Sequence, residues 1–427
     1  MSYNSWLVGG APHAAPGMTP VVKSAIRNHV RHRIGRLLYR RNAPQPQSRE
    51  VAFKNYWHWL FHHIRDTREY AFIDRRKLVD KGDGLGVFEI KLRVSVDAGW
   101  RTGDLIYIHW RNLPGHVEQV RALLGEAPRK LRLWDYGTAF GPEKYRAVTP
   151  DELLESVLDL TEASASLVAR AQALDASFQP DGAVNLIALL ERFPTLANWR
   201  LLAREQLRIK PRFYTVSRQE INAGQTTVEL LVSTVRQEYA CGAAPAVGRS
   251  GAFLTSLEPG AVVRANRMPH PHRLPVEHGY GESGICIVTG TGIAAVLVCL
   301  RAGVAPKRLW LIWGVRNRED GMFYREELEA YAHSGLIERL DVVESRPRVG
   351  QGLRTPGFVH HVREDIAKWL EQGAGLFISG HREMGESVRR VLREASVEGG
   401  LAASDENARA EMADWSEHLR YIETTSG

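Results

Sequence analysis

Acidic residues are nearly missing from the first fifty positions, cysteine is scarce throughout, and no long apolar run occurs. Each absence excludes something. No run reaches the roughly 18 apolar residues that a membrane-spanning helix needs, and none reads as the apolar core of a secretory leader. Three cysteines in 427 residues, Cys241, Cys286 and Cys299, fit neither a metal spacing nor a disulfide framework, so a reducing cytoplasm is expected. The histidines of "HPH" (His270, His272) and "HH" (His360, His361) come without a carboxylate cluster, and no metal site is expected. Residues 1–50 hold Lys23, Arg27, Arg31, Arg33, Arg36, Arg40, Arg41 and Arg49 against Glu50 alone. That block carries the whole formal net charge of +7. It reads as a solvated arm, a dock for an acidic protein partner, a tether to an anionic surface or an organelle presequence; no nucleic-acid partner is expected.

The length allows two to three domains, each with its own core. "VVKSAIRNHVRHRIGRLLYRR" reads as a basic helix, with Val22, Ile26, Val30, Ile34 and Leu38 at i, i+4 spacing. "VAFKNYWHWLFHHIRDTREYAF" reads as an aromatic helix, and residues 1–69 as a helical N-terminal extension. From about residue 70 the period becomes two: "AFIDRRKLVD", "GVFEIKLRV" and "DLIYIHWR" read as strands, with "DKGDG" and "DAGWRTG" as turns. Residues 114–208 turn helical ("HVEQVRALLG", "TPDELLESVLDL", "SASLVARAQAL", "AVNLIALLERF"), and strands resume at "PRFYTVSR". From "GICIVTGTG" onward strands and helices alternate, which predicts a parallel sheet. The expected fold class is an antiparallel β-barrel (70–113 and 209–275) interrupted by an all-α insertion (114–208), followed by a doubly wound parallel α/β domain (276–427).

Three stretches carry chemistry. In "KPRFYTVSR", Arg212 and Tyr214 share one face if the segment is a strand. A cation beside an aromatic ring serves a sheet, or holds something flat and anionic. "TGTGIAA" lies between strand and helix, so Thr291 and Gly292 form either a plain tight turn or a phosphate cradle. "VGRSGAFL", with Gly248, Arg249, Ser250 and Gly251, is a second such cradle at the start of a short helix. Arg316, Arg318, Arg346, Arg348 and Arg354 follow the C-terminal ends of the next two strands. There an open parallel sheet binds ligands, and the planar guanidinium suits phosphate.

The succession of strand-rich domain, helical insertion, "RFYT", "GRSG", "GTGIA", "YREEL", "ESR" and "ISG" resembles the ferredoxin–NADP reductase superfamily. Within it, the likeness is to the FAD/NADPH half of the diflavin reductases, over about residues 70–427; a flavodoxin-like FMN domain is not part of it. The resemblance implies that Arg212 meets the FAD diphosphate, that Tyr214 packs on the isoalloxazine and that Thr215 lies near the reactive flavin nitrogen. Leu231, Ser233 and the loop Gly248–Gly251 are implied as further cofactor contacts. Gly251 stands where the family has Ser or Thr, with Ser250 or Arg249 as compensating groups. Thr291, Gly292, Arg316, Ser345 and Arg346 are implied to hold NADPH, the last two at the adenosine 2′-phosphate. The family's Lys-x-Tyr-x-Gln falls on Pro356, Phe358 and His360, and Arg354 is the substitute cation. Ser379 replaces the family's cysteine near the flavin, and its C-terminal Asp-x-Trp falls on Thr424 and Ser426. Thr215, Ser379 and Thr424 are therefore the expected catalytic positions, with hydride transfer slowed by the exchanged groups.

Three functions remain. The first is an FAD enzyme that takes hydride from NAD(P)H and passes electrons to an external acceptor: a flavodoxin, ferredoxin, haem protein or small molecule. An acidic carrier would suit the basic arm. The second is a repurposed flavoprotein acting on an organic substrate with little use of NADPH. The third is a binding module on a retained fold.

Overall fold

The computed structural model describes residues 67–94, 100, 104–135, 144–222, 224–241, 245–268, 282–398, 402–417 and 421–426. The basic and aromatic helices expected before residue 67, and His270 and His272, lie outside these residues.

The period-two segments form strands β1 (Arg68–Gly82), β2 (Leu85–Val94) and β3 (Leu105–His109). Two strands of the insertion follow, β4 (Leu131–Asp135) and β5 (Lys144–Val148). Next come β6 (Arg212–Asn222), β7 (Gln225–Ser233), the short β8 (Arg236–Gln237) and β9 (Ala246–Val247), and β10 (Val262–Met268). Six of them pair antiparallel in the order β1-β10-β3-β6-β7-β2, and β1 pairs with both β10 and β2. Alternate residues point inward, so Tyr70, Phe72, Ile90, Leu92, Ile106, Ile108, Val228 and Leu230 share one core with Phe253 and Leu254 of the helix Arg249–Ser256.

The insertion has a separate core, including Val120, Leu133, Leu153, Leu167, Leu186, Leu190 and Leu202. Its helices Ala165–Leu174, Leu186–Arg192 and Trp199–Glu205 start at Ser164, Asn185 and Asn198, whose side chains accept from free backbone N–H groups of the first turn. The insertion is not all-α. β4 and β5 form an antiparallel pair, because Leu131 and Leu133 are buried on either side of exposed Arg132, which is strand periodicity within a segment expected to be helical. "TPDELLESVLDL" is also no regular helix: Pro150–Glu152 is α and Leu153–Val157 winds as π.

The third part is a five-stranded sheet of β11 (Ser283–Thr289), β12 (Arg308–Val315), β13 (Arg339–Glu344), β14 (Gly375–His381) and β15 (Tyr421–Ser426). All are parallel, in the order β13-β12-β11-β14-β15. Successive residues of β12 go to opposite faces. Leu309, Leu311 and Trp313 pack with the helix Ala294–Arg301, whereas Trp310 and Ile312 pack with Val359, Ile366 and Val388. Helices therefore cover both faces, as near-continuous apolar strands require. Val79, Val87 and Leu231 of the antiparallel sheet belong to the first of these cores, so the two sheets share buried apolar surface.

Candidate functional site

The strand order of the parallel sheet reverses between β11 and β14, and at such a point the following loops diverge and leave a crevice. Here the crevice is framed by the turn Gly290–Ile293 after β11 and by the end of β14. Its walls are too close for side chains. A Cβ on Gly292 would lie 2.7 Å from the Ser379 carbonyl oxygen, and one on Gly380 would lie 2.0 Å from Thr289 Oγ1. Thus Gly292 lets the turn lie directly on the strand that carries Ser379, a buried side chain. Ser379 and Thr424 are paired across β14 and β15, which brings two of the three expected catalytic positions onto neighbouring strands.

A cleft of about 1050 Å³ opens from this turn. Thr291, Arg316, Ser345, Arg346, Arg354, His381 and Arg390 line it from the parallel domain, and Val79, Asp80, Lys81, Val87 and Ser233 from the antiparallel sheet. The cleft holds five cations, Lys81, Arg316, Arg346, Arg354 and Arg390, against two carboxylates, Asp80 and Glu383. The five arginines expected at the strand ends divide into two sets. Arg318 pairs with Glu344 at 3.6 Å and Arg348 with Glu319 at 4.0 Å. Arg316, Arg346 and Arg354 are exposed in the cleft. The Ser345 hydroxyl donates to the Val315 carbonyl at 3.2 Å, and the Arg346 amide donates to the Arg316 carbonyl at 2.7 Å, so the loops after β12 and β13 are tied together and present their cations side by side.

Lys81 escaped the sequence reading. It sits in "DKGDG", read only as a turn, and spacing holds no sign that this turn reaches the second sheet. Lys81 is exposed on the cleft wall; partial desolvation there and the neighbouring Arg316 charge hold its ammonium below the usual lysine range.

In the antiparallel sheet, β6 places Arg212 and Tyr214 two residues apart, facing the same way. Thr215 lies opposite Leu105 of β3. The Tyr214 hydroxyl and Ser250 Oγ are 2.8 Å apart, and burial raises the phenol pKa, so the ring is neutral and fixed. Ser250 is in the first turn of the helix Arg249–Ser256, which has no side-chain N-cap; free amide donors at a helix start attract anions. Gly248 and Gly251 let that turn press onto the strand end: a Cβ at Gly248 would be 2.9 Å from Val235 Cγ2, and one at Gly251 3.2 Å from Thr234 Cγ2.

Two expected contacts are engaged elsewhere. Arg249 turns to the insertion, pairing with Asp159 at 3.0 Å, with Glu162, and with Thr161 Oγ1 at 2.8 Å. Leu231 is buried in the core shared with the parallel domain. Ser233 lines the cleft.

A second feature missed in the sequence spans the same boundary. Arg301 makes paired hydrogen bonds to Glu327 at 2.8 and 2.7 Å and donates to the Ser217 carbonyl of β6 at 3.0 Å. Its guanidinium lies 4.8 Å from the Tyr324 ring centroid, and the Tyr324 hydroxyl donates to Glu89 of β2. Every charge of this clasp has a partner within the chain.

Residues 286–390 match the family model described as "Oxidoreductase NAD-binding domain". The chain is 28% identical over 371 residues to the "Sulfite reductase [NADPH] flavoprotein alpha-component" of Shewanella sp. (strain ANA-3), covering 81% of this chain and 58% of that protein. It is 25% identical over 350 residues to the protein of the same name from Photobacterium profundum, covering 76% and 54%. The chain thus spans less than two thirds of the length of the curated relatives it matches. The two sheets, the interposed helices and the glycine turn at the strand reversal agree with these likenesses, and together they support similarity to the diflavin-reductase-like members of the ferredoxin–NADP reductase superfamily.

Proposed function

We propose that the chain is an NADPH-dependent flavoprotein oxidoreductase that holds FAD on a barrel-like antiparallel domain and passes electrons to an external acceptor. The observation that carries this reading is the cation-rich cleft at the strand reversal, with Arg316, Arg346 and Arg354 turned into it without an acid partner among the described residues. The uncapped first turn of Arg249–Ser256, together with exposed Arg212, suits a diphosphate, and the pinned, neutral Tyr214 ring suits a flat aromatic system. The residues present therefore fit FAD.

When bound, a flavin accepts hydride as a pair and releases electrons singly or together. The chain's own residues do the rest. Arg212 and the amides of the first helical turn neutralise the diphosphate. Tyr214, held by Ser250, sets the plane against which the ring system rests. Thr215 supplies a hydroxyl near the reactive nitrogen. Thr291 and Gly292 admit the dinucleotide backbone close to Ser379, while Ser345, Arg346 and Arg354 take the adenosine 2′-phosphate. Ser379 would orient the nicotinamide without supplying a thiol, and position 424, paired to it across β14 and β15, carries no carboxylate. The acceptor is external to the chain: a flavodoxin, ferredoxin, haem protein or small molecule.

Those two hydroxyls also favour a second reading, in which the flavin acts on an organic substrate with little use of NADPH. One anaerobic titration separates the two. Purified protein is expected to be yellow and to bleach when NADPH is added. Retained flavin that stays oxidised with both NADPH and NADH would sink the first reading and support the second.

A further inference from the structure

The first turn of the helix Arg249–Ser256 has no side-chain cap of its own, so its place depends on what fastens it from outside. Three attachments do so. The Gly248 amide donates to the Val235 carbonyl at 2.7 Å, and Ser250 Oγ lies 2.8 Å from the Tyr214 hydroxyl. The third comes from the insertion. Arg249 reaches Asp159 at 3.0 Å, Thr161 Oγ1 at 2.8 Å, and Glu162, so one guanidinium spans residues 159–162. That loop is itself firmly held. Asp159 accepts from the Thr161 amide at 3.0 Å and from its hydroxyl at 2.6 Å. Buried Gln206 donates to the Asp159 and Glu162 carbonyls at 2.5 and 2.6 Å and accepts from the Ser164 amide at 3.0 Å. Asn112 accepts from the Leu160 amide at 3.3 Å. The chain beside the turn docks on the insertion as well: the Ala240 amide donates to the Ala183 carbonyl at 2.7 Å, shortly after β8, which pairs with the β9 strand leading into Gly248. The Asp159 side chain is only 5% exposed, and a carboxylate so placed costs free energy without a cation. Arg249 supplies that cation. Were Arg249 turned to the cofactor instead, both acids would stand unanswered beside an anion.

We propose that Arg249 is a positioning residue for the flavin: it fastens the turn that cradles the diphosphate to the insertion, so that FAD retention depends on Asp159 and Glu162, acids of a part of the chain with a separate core. The inference rests on reading this turn as the diphosphate cradle, and deepens that reading by giving the insertion a share in holding the cofactor. Arg249 acts through its neighbour Ser250, which fixes Tyr214, and not by touching FAD.

The test uses the full flavin-loaded chain, with Arg249→Met, Glu162→Gln and the double variant beside the unaltered protein. Release of FAD is followed by the rise in flavin fluorescence on dilution. Arg249→Met is expected to speed release about tenfold, within the coupling range of groups joined in one network. Glu162 is partly exposed, so Glu162→Gln keeps the fold and decides the matter should Arg249→Met fold poorly; it is expected to speed release about threefold. The double variant should release FAD no faster than Arg249→Met alone, because both changes cut the same link. NADPH affinity of the flavin-loaded variants should stay within about twofold of the unaltered protein, since the cleft cations are not part of this network. Release slowed or unchanged in Glu162→Gln overturns the proposal, because an Arg249 freed from its acid would then be holding the cofactor itself. Lower melting temperatures with unchanged FAD release overturn it too, and reduce the link to a structural one. Either result leaves the flavin reading standing. Unaltered protein that is colourless and takes up no added FAD overturns both.

Discussion

Two groups of cations sit on the boundary between the antiparallel and parallel sheets, built on opposite terms. In the clasp, Arg301 is answered by Glu327, Ser217 and the Tyr324 ring, and its side chain is only 9% exposed. In the cleft, Lys81, Arg316, Arg346 and Arg354 face shared space with a shortage of acids. The first arrangement has satisfied its desolvation cost inside the protein, as a buried pair must. The second leaves charge unanswered where solvent or a ligand can reach it. Satisfied charge is architecture, and unanswered charge marks where an anion belongs.

The comparison breaks most sharply at the glycine turn. Gly292→Val would drive a side chain into the Ser379 carbonyl. NADPH-driven flavin reduction should fall by more than about 100-fold, a size expected when the reacting groups are displaced by about 1 Å. Stopped-flow absorbance measures it, and near-normal bleaching would refute the close-packed turn.

The clasp comes next. Arg301→Ala leaves Glu327 without its main partner and should lower the unfolding free energy by about 2–3 kcal/mol, less than for a fully buried pair because Glu327 is partly exposed. Denaturant titration checks this. Arg346→Ala and Arg354→Ala should instead leave the denaturant midpoint unchanged while each weakens NADPH by about tenfold at low salt, and less at high salt. If the cleft variants unfold early and the clasp variant weakens NADPH alone, the two roles are reversed.

The clasp also has a signature in pH. Burial works against ionisation of Glu327, and the paired hydrogen bonds from Arg301 overcome it, holding the carboxyl below its ordinary value of 4.5. A depressed carboxyl contributes stability above its unfolded pKa and loses it as pH falls through the folded one. Stability of the unaltered protein should therefore drop as pH falls from about 4.5, and Arg301→Ala should flatten that part of the curve. The smallest effect is expected of Ser379→Cys, which should speed flavin reduction a fewfold, readable as a rate with binding unchanged.

Much of this was legible in the sequence where a period or a turn expresses it. Strands β1 to β3, β6 and β11 to β14 follow from alternation or from short apolar runs ending in glycine, and the crevice follows from "TGTGIAA". The hairpin of β4 and β5 was lost because "LRLWD" is short and flanked by helical patterns. β15 was lost because "YIETTS" has too few apolar residues to signal a strand; its place is set by pairing to β14. Of the site, Arg212, Tyr214, Ser250 and the cleft arginines lie in readable motifs. Their commitments do not: the turning of Arg249 to Asp159 and Glu162 is a long-range pairing. Lys81 facing Arg316 likewise depends on how a hairpin end meets another domain, which no local pattern encodes.

The apolar seam formed by Val79, Val87 and Leu231 with Ile293 and Trp313 has a practical corollary. A protease nick in the connection between residues 268 and 282 should yield two pieces that still elute as one particle. Neither piece, made separately, should stay in solution, because each would present a freshly bared oily face to water.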